Sequence, residues 1–119
     1  MKKISKEQWL EALESGKYRQ CRKTLVSDDG TGRSYCCLGV AVVLAEADFG
    51  DTSSYEAAGL IVGMQGEYAS DYFVKGGQMS TNEAEIAMRL NDKQRWSFSE
   101  IAAFFRERWG IPRPTPAAD

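Results

Sequence analysis

Cys36 and Cys37 stand side by side in the run Tyr35-Cys36-Cys37-Leu38-Gly39-Val40, where a polar stretch gives way to an apolar one. Adjacent thiols at such a position suit a nucleophile, a pair of metal ligands, or two small buried side chains. A thiolate nucleophile needs a base beside it, and the chain contains no histidine, which excludes Cys-His catalysis. A helix N-terminus and the nearby Arg33 would still lower a thiol pKa, so a thiol-dependent enzyme stays open as a third reading. Zinc held by Cys21, Cys36 and Cys37 would lack histidine and draw two ligands from adjacent positions, unlike the paired spacing of zinc sites. No metal and no cofactor is therefore expected. Cysteine packs well as a small apolar side chain, and that is the expectation for Cys37, with Cys36 beside it able to face a ligand.

The remaining chemistry is polar. Arg19, Arg22, Lys23 and Arg33 flank the loop Gly30-Thr31-Gly32-Arg33-Ser34, whose backbone donors would converge on a small anion such as a nucleotide phosphate. The loop is no Walker A motif, and Asp28-Asp29 beside it has the composition of an ordinary turn. Far along the chain, Asn91-Asp92 presents polar groups between two helical patterns, either as a site or as a connector. The candidate ligand-binding set is therefore Tyr18, Arg19, Gln20, Arg22, Arg33, Tyr35, Cys36, Asn91 and Asp92. Exposed aromatics make protein contacts, so Tyr55, Tyr68, Tyr72 and Phe73 of the Gly-rich middle segment form a candidate partner-binding set, unless they are core.

The elements that must hold these residues follow from periodicity and capping. Ser5 with Gln8, Ser80 with Glu83 and Ser97 with Glu100 all match the capping-box spacing, and each precedes an apolar pattern of helical period. The first predicts a short helix from about Lys6 to Ser15, closed at Gly16. The other two predict a C-terminal αα-hairpin joined through Asn91-Asp92-Lys93-Gln94-Arg95, its second helix carrying Phe98, Ile101, Ala102, Phe104, Phe105 and Trp109. Between Cys37 and Ala47 apolar residues occupy every face, and length with three alanines favours a buried central helix over a strand. A strand around Arg22 to Val26 is expected to pair with Arg33 to Cys36 across the Ser27 to Gly32 turn, and Leu60-Ile61-Val62 and Tyr72-Phe73-Val74 are two further β-like runs.

At 119 residues and 43% hydrophobic content the chain has one core, so a single globular domain over 1–111 is expected, followed by a Pro-rich flexible tail over 112–119. The fold class is α+β, mainly helical, with a small antiparallel sheet. Fifteen basic residues against 17 acidic ones leave a net charge of -2, which disfavours general nucleic-acid binding. No run reaches membrane-spanning length, no leader pattern opens the chain, and three free thiols suit a reducing compartment, so a cytoplasmic protein with no membrane partner is expected. Composition sets no oligomeric state.

The order Trp9-Leu10-Glu11-Ala12-Leu13, Gly16-Lys17-Tyr18, Gln20, then Tyr35 to Val40, then Leu90-Asn91-Asp92 with Ser97-Phe98-Ser99-Glu100-Ile101-Ala102, resembles a family of small accessory proteins of tailed bacteriophages. The resemblance spans both ends and the centre and omits Asp51 to Gln78. Relatives in that family carry a further cysteine a few residues after the Cys-Cys pair, where this chain has Val42 or Val43. That departure argues against an essential metal ligand there. The resemblance implies a phage product acting in the host bacterial cytoplasm and brings with it no activity. Two functions follow as expectations: a non-catalytic binder or inhibitor of a host bacterial protein, plausibly directed against a defence system, or a protein that sequesters a small signalling nucleotide.

Overall fold

Each of the three capping boxes starts a helix. A computed structural model of the chain describes residues 2–23, 25–46, 61–62, 67–68, 72–74 and 76–113. Helix α1 runs Lys6–Glu14, α3 Thr81–Asp92 and α4 Phe98–Trp109, and at each the serine side chain accepts from the third backbone N–H while the Gln or Glu side chain returns the bond. A serine cap of this kind contributes roughly 0.5–2 kcal/mol. Gly16 and Gly110 follow the first and last of these helices with φ of +76° and +66°, the left-handed region where a helix ends at least cost to glycine.

The central helix α2, Cys37–Leu44, is capped by sulfur. The Gly39 N–H donates to Cys36 Sγ at 3.3 Å, so the first of the paired cysteines stands where serine usually does. Residues 37–42 of this helix are all buried, which is why the sequence shows no polar face there. Ahead of it, β1 (Val26–Asp28) pairs antiparallel with β2 (Arg33–Tyr35), joining Val26 to Tyr35 and Asp28 to Arg33. The hairpin lies later in the chain than the Arg22 to Val26 expectation. Residues 19–21 instead lie alongside β2, with Tyr35 N–H donating to Arg19 O and Cys21 N–H to Tyr35 O. A second small pair joins β3 (Ile61–Val62) to β4 (Glu67–Tyr68). The run Tyr72 to Val74 pairs elsewhere, through a parallel bridge from Phe73 to Ile4. The fold is α+β, as its sequence indicates.

The core forms where α1 crosses α4 and α2 packs on α1 and α3. Trp9 is fully buried at its centre, with Phe73, Phe105 and Trp109 around it at centroid distances of 6.2, 5.4 and 5.9 Å. Burying a large side chain of this kind contributes about 1.5–3 kcal/mol. Its indole N–H donates to Cys37 O at 2.8 Å, so α1 also orients the start of α2. Gly39 is required at the opposite face: a Cβ there would lie 2.1 Å from Leu25 O, a backbone atom that also accepts from Cys36 N–H.

Two ion pairs that the chain order conceals close the helical layer. Arg106 is buried and grips Glu14 with two bonds, Nε to Oε2 at 2.8 Å and Nη2 to Oε1 at 2.7 Å. Its remaining Nη1 donates to Pro112 O at 2.9 Å, and Arg113 lies 3.4 Å from Glu14. Pro112 and Arg113, assigned by their sequence to a flexible tail, are thereby tied to α1 and α4; residues 114–119 of that tail lie outside the described residues. Glu83, at the start of α3, takes bonds from Arg108 and Trp109 at the end of α4, which fastens the αα-hairpin at its open end. Carboxylate at one helix N-terminus and guanidinium at the other C-terminus also complement both helix dipoles.

Candidate functional site

The motif residues do meet in space, and the meeting point is Asn91. Its side chain is inaccessible to solvent. Oδ1 accepts from Gln20 Nε2 at 2.8 Å and from Cys37 N–H at 3.3 Å, while Nδ2 donates to Cys21 O at 3.0 Å and to Asp92 Oδ1 at 2.9 Å. Gln20 also donates to Trp96 O at 2.8 Å. Arg22 donates to Asn91 O and Arg95 O at 3.1 and 3.2 Å, and the Asp92 carboxylate accepts from Lys23 N–H at 2.9 Å. Residues 20–23, the start of α2 and the α3–α4 connection are thus stitched through one amide, and every polar atom of that amide is engaged. Gln20, Arg22, Asn91 and Asp92, expected to contact a ligand, contact each other.

The thiols are sealed under this stitch. Cys36 and Cys37 are both 0% exposed, and Cys37 Sγ donates to Ala87 O at 3.4 Å. Burial pushes the Cys37 thiol pKa well above its ordinary value, and the adjacent Cys36 thiol and the Asp92 side chain press it in the same direction. A buried, protonated thiol is a packing group. Cys36 is therefore withdrawn from the ligand-contact set, because its sulfur serves as a helix cap inside the core. Among the described residues no cluster of three or more cysteine and carboxylate side chains has metal-site geometry.

The expected anion cradle is occupied by the protein's own carboxylates. Gly30 N–H donates to Asp28 Oδ1 and Thr31 N–H to Asp29 Oδ1, each at 3.0 Å, so two of the backbone donors that would have held a phosphate are spent within the turn. Arg19 reaches the same loop, donating to Asp29 Oδ2 at 3.1 Å and Gly32 O at 3.0 Å. The Thr31 hydroxyl and backbone N–H, helped by Arg19, hold the Asp29 carboxyl at about 2. The Asp29 carboxylate, with the Asp28 side chain beside it on the same turn, opposes an anion there, and the cradle reading fails on that ground. Arg33 is exposed on β2 and stands apart from this turn's bonds.

The aromatic set divides. Tyr72 and Phe73 are 0% and 1% exposed, packed in the core through the bridge to Ile4, so neither presents a contact surface. Tyr55 lies outside the described residues, and Tyr68 is placed as a strand residue of β4. Tyr18 and Tyr35, from the ligand set, meet edge to face at 6.1 Å and are half-buried. Tyr18 borders an open groove of about 280 Å³ with Gln8, Glu11, Ala12, Ser15, Lys17 and Leu44, at the ends of α1 and α2.

What the candidate set left unnamed lies on the outer side of the Asn91 stitch. Lys23, Arg89, Lys93 and Arg95 are all exposed at the C-terminal end of α3, and none forms an ion pair with another described residue. Lys23 and Arg95 have φ of +70° and +58°. The left-handed region costs a residue with a Cβ roughly 1–2 kcal/mol relative to glycine, and both positions hold a long cation instead. Beside them, Glu85, Met88, Arg89, Asp92 and Lys93 line a groove of about 210 Å³. In the sequence these cations are scattered over 73 positions, and only the i, i+4 spacing of Arg89 and Lys93 hinted at a shared face.

Comparison with known proteins reaches the first half of this arrangement. Residues 1–59 are similar to a family described as a domain of unknown function, DUF8296. The match takes in α1, the β1–β2 hairpin and α2 with its cysteine pair, and ends before α3. No curated protein and no solved structure matches the chain significantly.

Proposed function

We propose that this chain is a bacteriophage accessory protein that works in the host bacterial cytoplasm by binding a host protein, without catalysing a reaction. One observation carries the reading: the motif residues with chemical potential, Cys36, Cys37, Gln20, Arg22 and Asn91, are consumed in holding the fold together. A motif spent on architecture leaves the work to the outer surface, which is how a binding module differs from an enzyme. The motif resemblance to phage accessory proteins supplies the biological setting, and inhibition of a defence component is the role that fits a small product of that kind. No described helix is long and apolar enough to cross a membrane, in keeping with action away from one.

Affinity capture from host bacterial lysate, followed by reconstitution with the purified candidate, tests this. The expected result is one host protein bound with a Kd of about 1 μM or tighter. Failure of every captured protein to bind in purified form would overturn the reading. A second reading, binding of a small signalling nucleotide, is favoured only by the groove that places Lys17 next to Tyr18, with Glu11 on its wall opposing an anion. Thermal-shift measurements against linear and cyclic nucleotides separate the two, since the host-protein reading expects no shift with any of them.

A further inference from the structure

Four cations gather at one corner of a chain whose net charge is -2. Arg89 sits in the last turn of α3 and Lys93 is its C-cap, where the helix dipole favours positive charge and accounts for them without further purpose. Lys23 and Arg95 lie outside the helix, on the segments that meet its C-terminal end. Both adopt backbone conformations that glycine or asparagine adopt more readily, and they lie on two separate segments joined at this corner. The segments are held there by the stitch beneath: Lys23 N–H by the Asp92 carboxylate, Arg95 O by Arg22.

We infer that this corner is a preorganised cationic docking surface for an acidic segment of a partner protein. The inference rests on the protein-binding reading and names the partner chemistry. Lys23, Arg89, Lys93 and Arg95 would meet carboxylates, and the adjoining groove, floored by the half-buried Met88, takes one apolar side chain from the same segment. Glu85 and Asp92 at the groove argue for a polypeptide over a nucleic acid, because a continuous phosphate backbone would run against both carboxylates while a peptide can present an amide or an apolar side chain there. Fixed backbone at Lys23 and Arg95 lowers the ordering cost of binding.

The test uses the full chain and its double variant Lys23→Gly/Arg95→Gly. Because glycine suits both backbone positions, the variant is expected to melt at the same temperature as the parent or higher, so lost binding is not lost folding. The probe is a fluorescent synthetic peptide of repeating Glu-Glu-Leu, with a Lys-Lys-Leu peptide and a single-stranded oligonucleotide as comparisons. The parent should bind the acidic peptide in preference to both comparisons, with affinity falling at least about tenfold in the variant and falling again as salt is raised through physiological strength. Equal binding by parent and variant overturns the inference, as does tighter binding of the oligonucleotide, which would point to a nucleic-acid partner. Capture from lysate keeps the two readings apart. A host protein held equally by parent and variant leaves the host-protein reading standing and removes this surface from it. An acidic peptide bound through these residues, with no host protein captured, does the reverse.

Discussion

At the scale of single residues, Asn91 has the largest share of the architecture. An amide is the one side chain that can accept from Gln20 and Cys37 N–H while donating to Cys21 O and Asp92. Asn91→Asp keeps the size and removes both donors, setting a carboxylate against a carbonyl and a second carboxylate. The expected outcome is a loss of about 3 kcal/mol in chemical denaturation at neutral pH, with part of it recovered in mild acid as the new carboxyl protonates. A second residue-scale prediction concerns the thiols. Cys36 and Cys37 are fully buried while Cys21 is half-buried. Alkylation of the native protein should modify Cys21 first, and the other two only at the rate of unfolding. Rapid labelling of three thiols would contradict their placement in the core.

At the scale of elements, what matters is how closely the pieces approach. The β1–β2 hairpin and α2 touch at Gly39, where the Leu25 carbonyl occupies the space of a Cβ. Gly39→Ala forces apart two backbones, neither of which can yield as a flexible side chain would, and should cost about 1–3 kcal/mol or more. A drop in melting temperature measures it. Helices α1 and α4 are joined by the Glu14–Arg106 pair, in which the arginine is 6% exposed. Glu14→Ala leaves that guanidinium buried and unpaired, a situation that costs about 3–5 kcal/mol. Glu14→Gln should cost less, since an amide still accepts one of the two bonds. None of these contacts is legible from sequence spacing. Gly39 reads as one more small residue in an apolar run, and Glu14 and Arg106 read as ordinary exposed charges on two amphipathic helices.

At the scale of the whole molecule, the carboxylates set how the protein responds to acid. Burial opposes ionisation of Glu83, yet bonds from Ser80 N–H, Arg108 and Trp109 outweigh it and hold its carboxyl at about 2, below an ordinary value of 4.5. The Arg106 guanidinium likewise holds Glu14 low. A carboxyl whose folded pKa is depressed contributes stability above its unfolded pKa and loses it as pH falls toward the folded one. Stability should therefore be flat with respect to these groups at neutral pH, fall from about pH 4.5 downward, and go on falling to about pH 2. Denaturant midpoints across that range test this, and Glu83→Gln should flatten the profile. The same view of the whole shows how charge is distributed: Glu14, Glu83 and Glu100 are tied into clamps and caps, while Lys23, Arg89, Lys93 and Arg95 at the end of α3 are exposed.

The three capping boxes and the helices they open were determined by sequence alone, while the buried central helix was only favoured by it over a strand. Their signals act within one turn of chain, where a serine and a glutamate three residues apart find each other whatever else surrounds them. Tertiary structure alone decided the meaning of the polar motif residues. Gln20 and Asn91 are 71 positions apart, and Glu14 and Arg106 are 92 apart. Whether such groups face a ligand or one another depends on how the core of Trp9, Phe73, Phe105 and Trp109 brings α1, α2, α3 and α4 together. The same packing turned the paired cysteines from a possible reaction centre into a helix cap and a buried side chain, and it assembled from distant residues the cationic corner that the sequence had scattered.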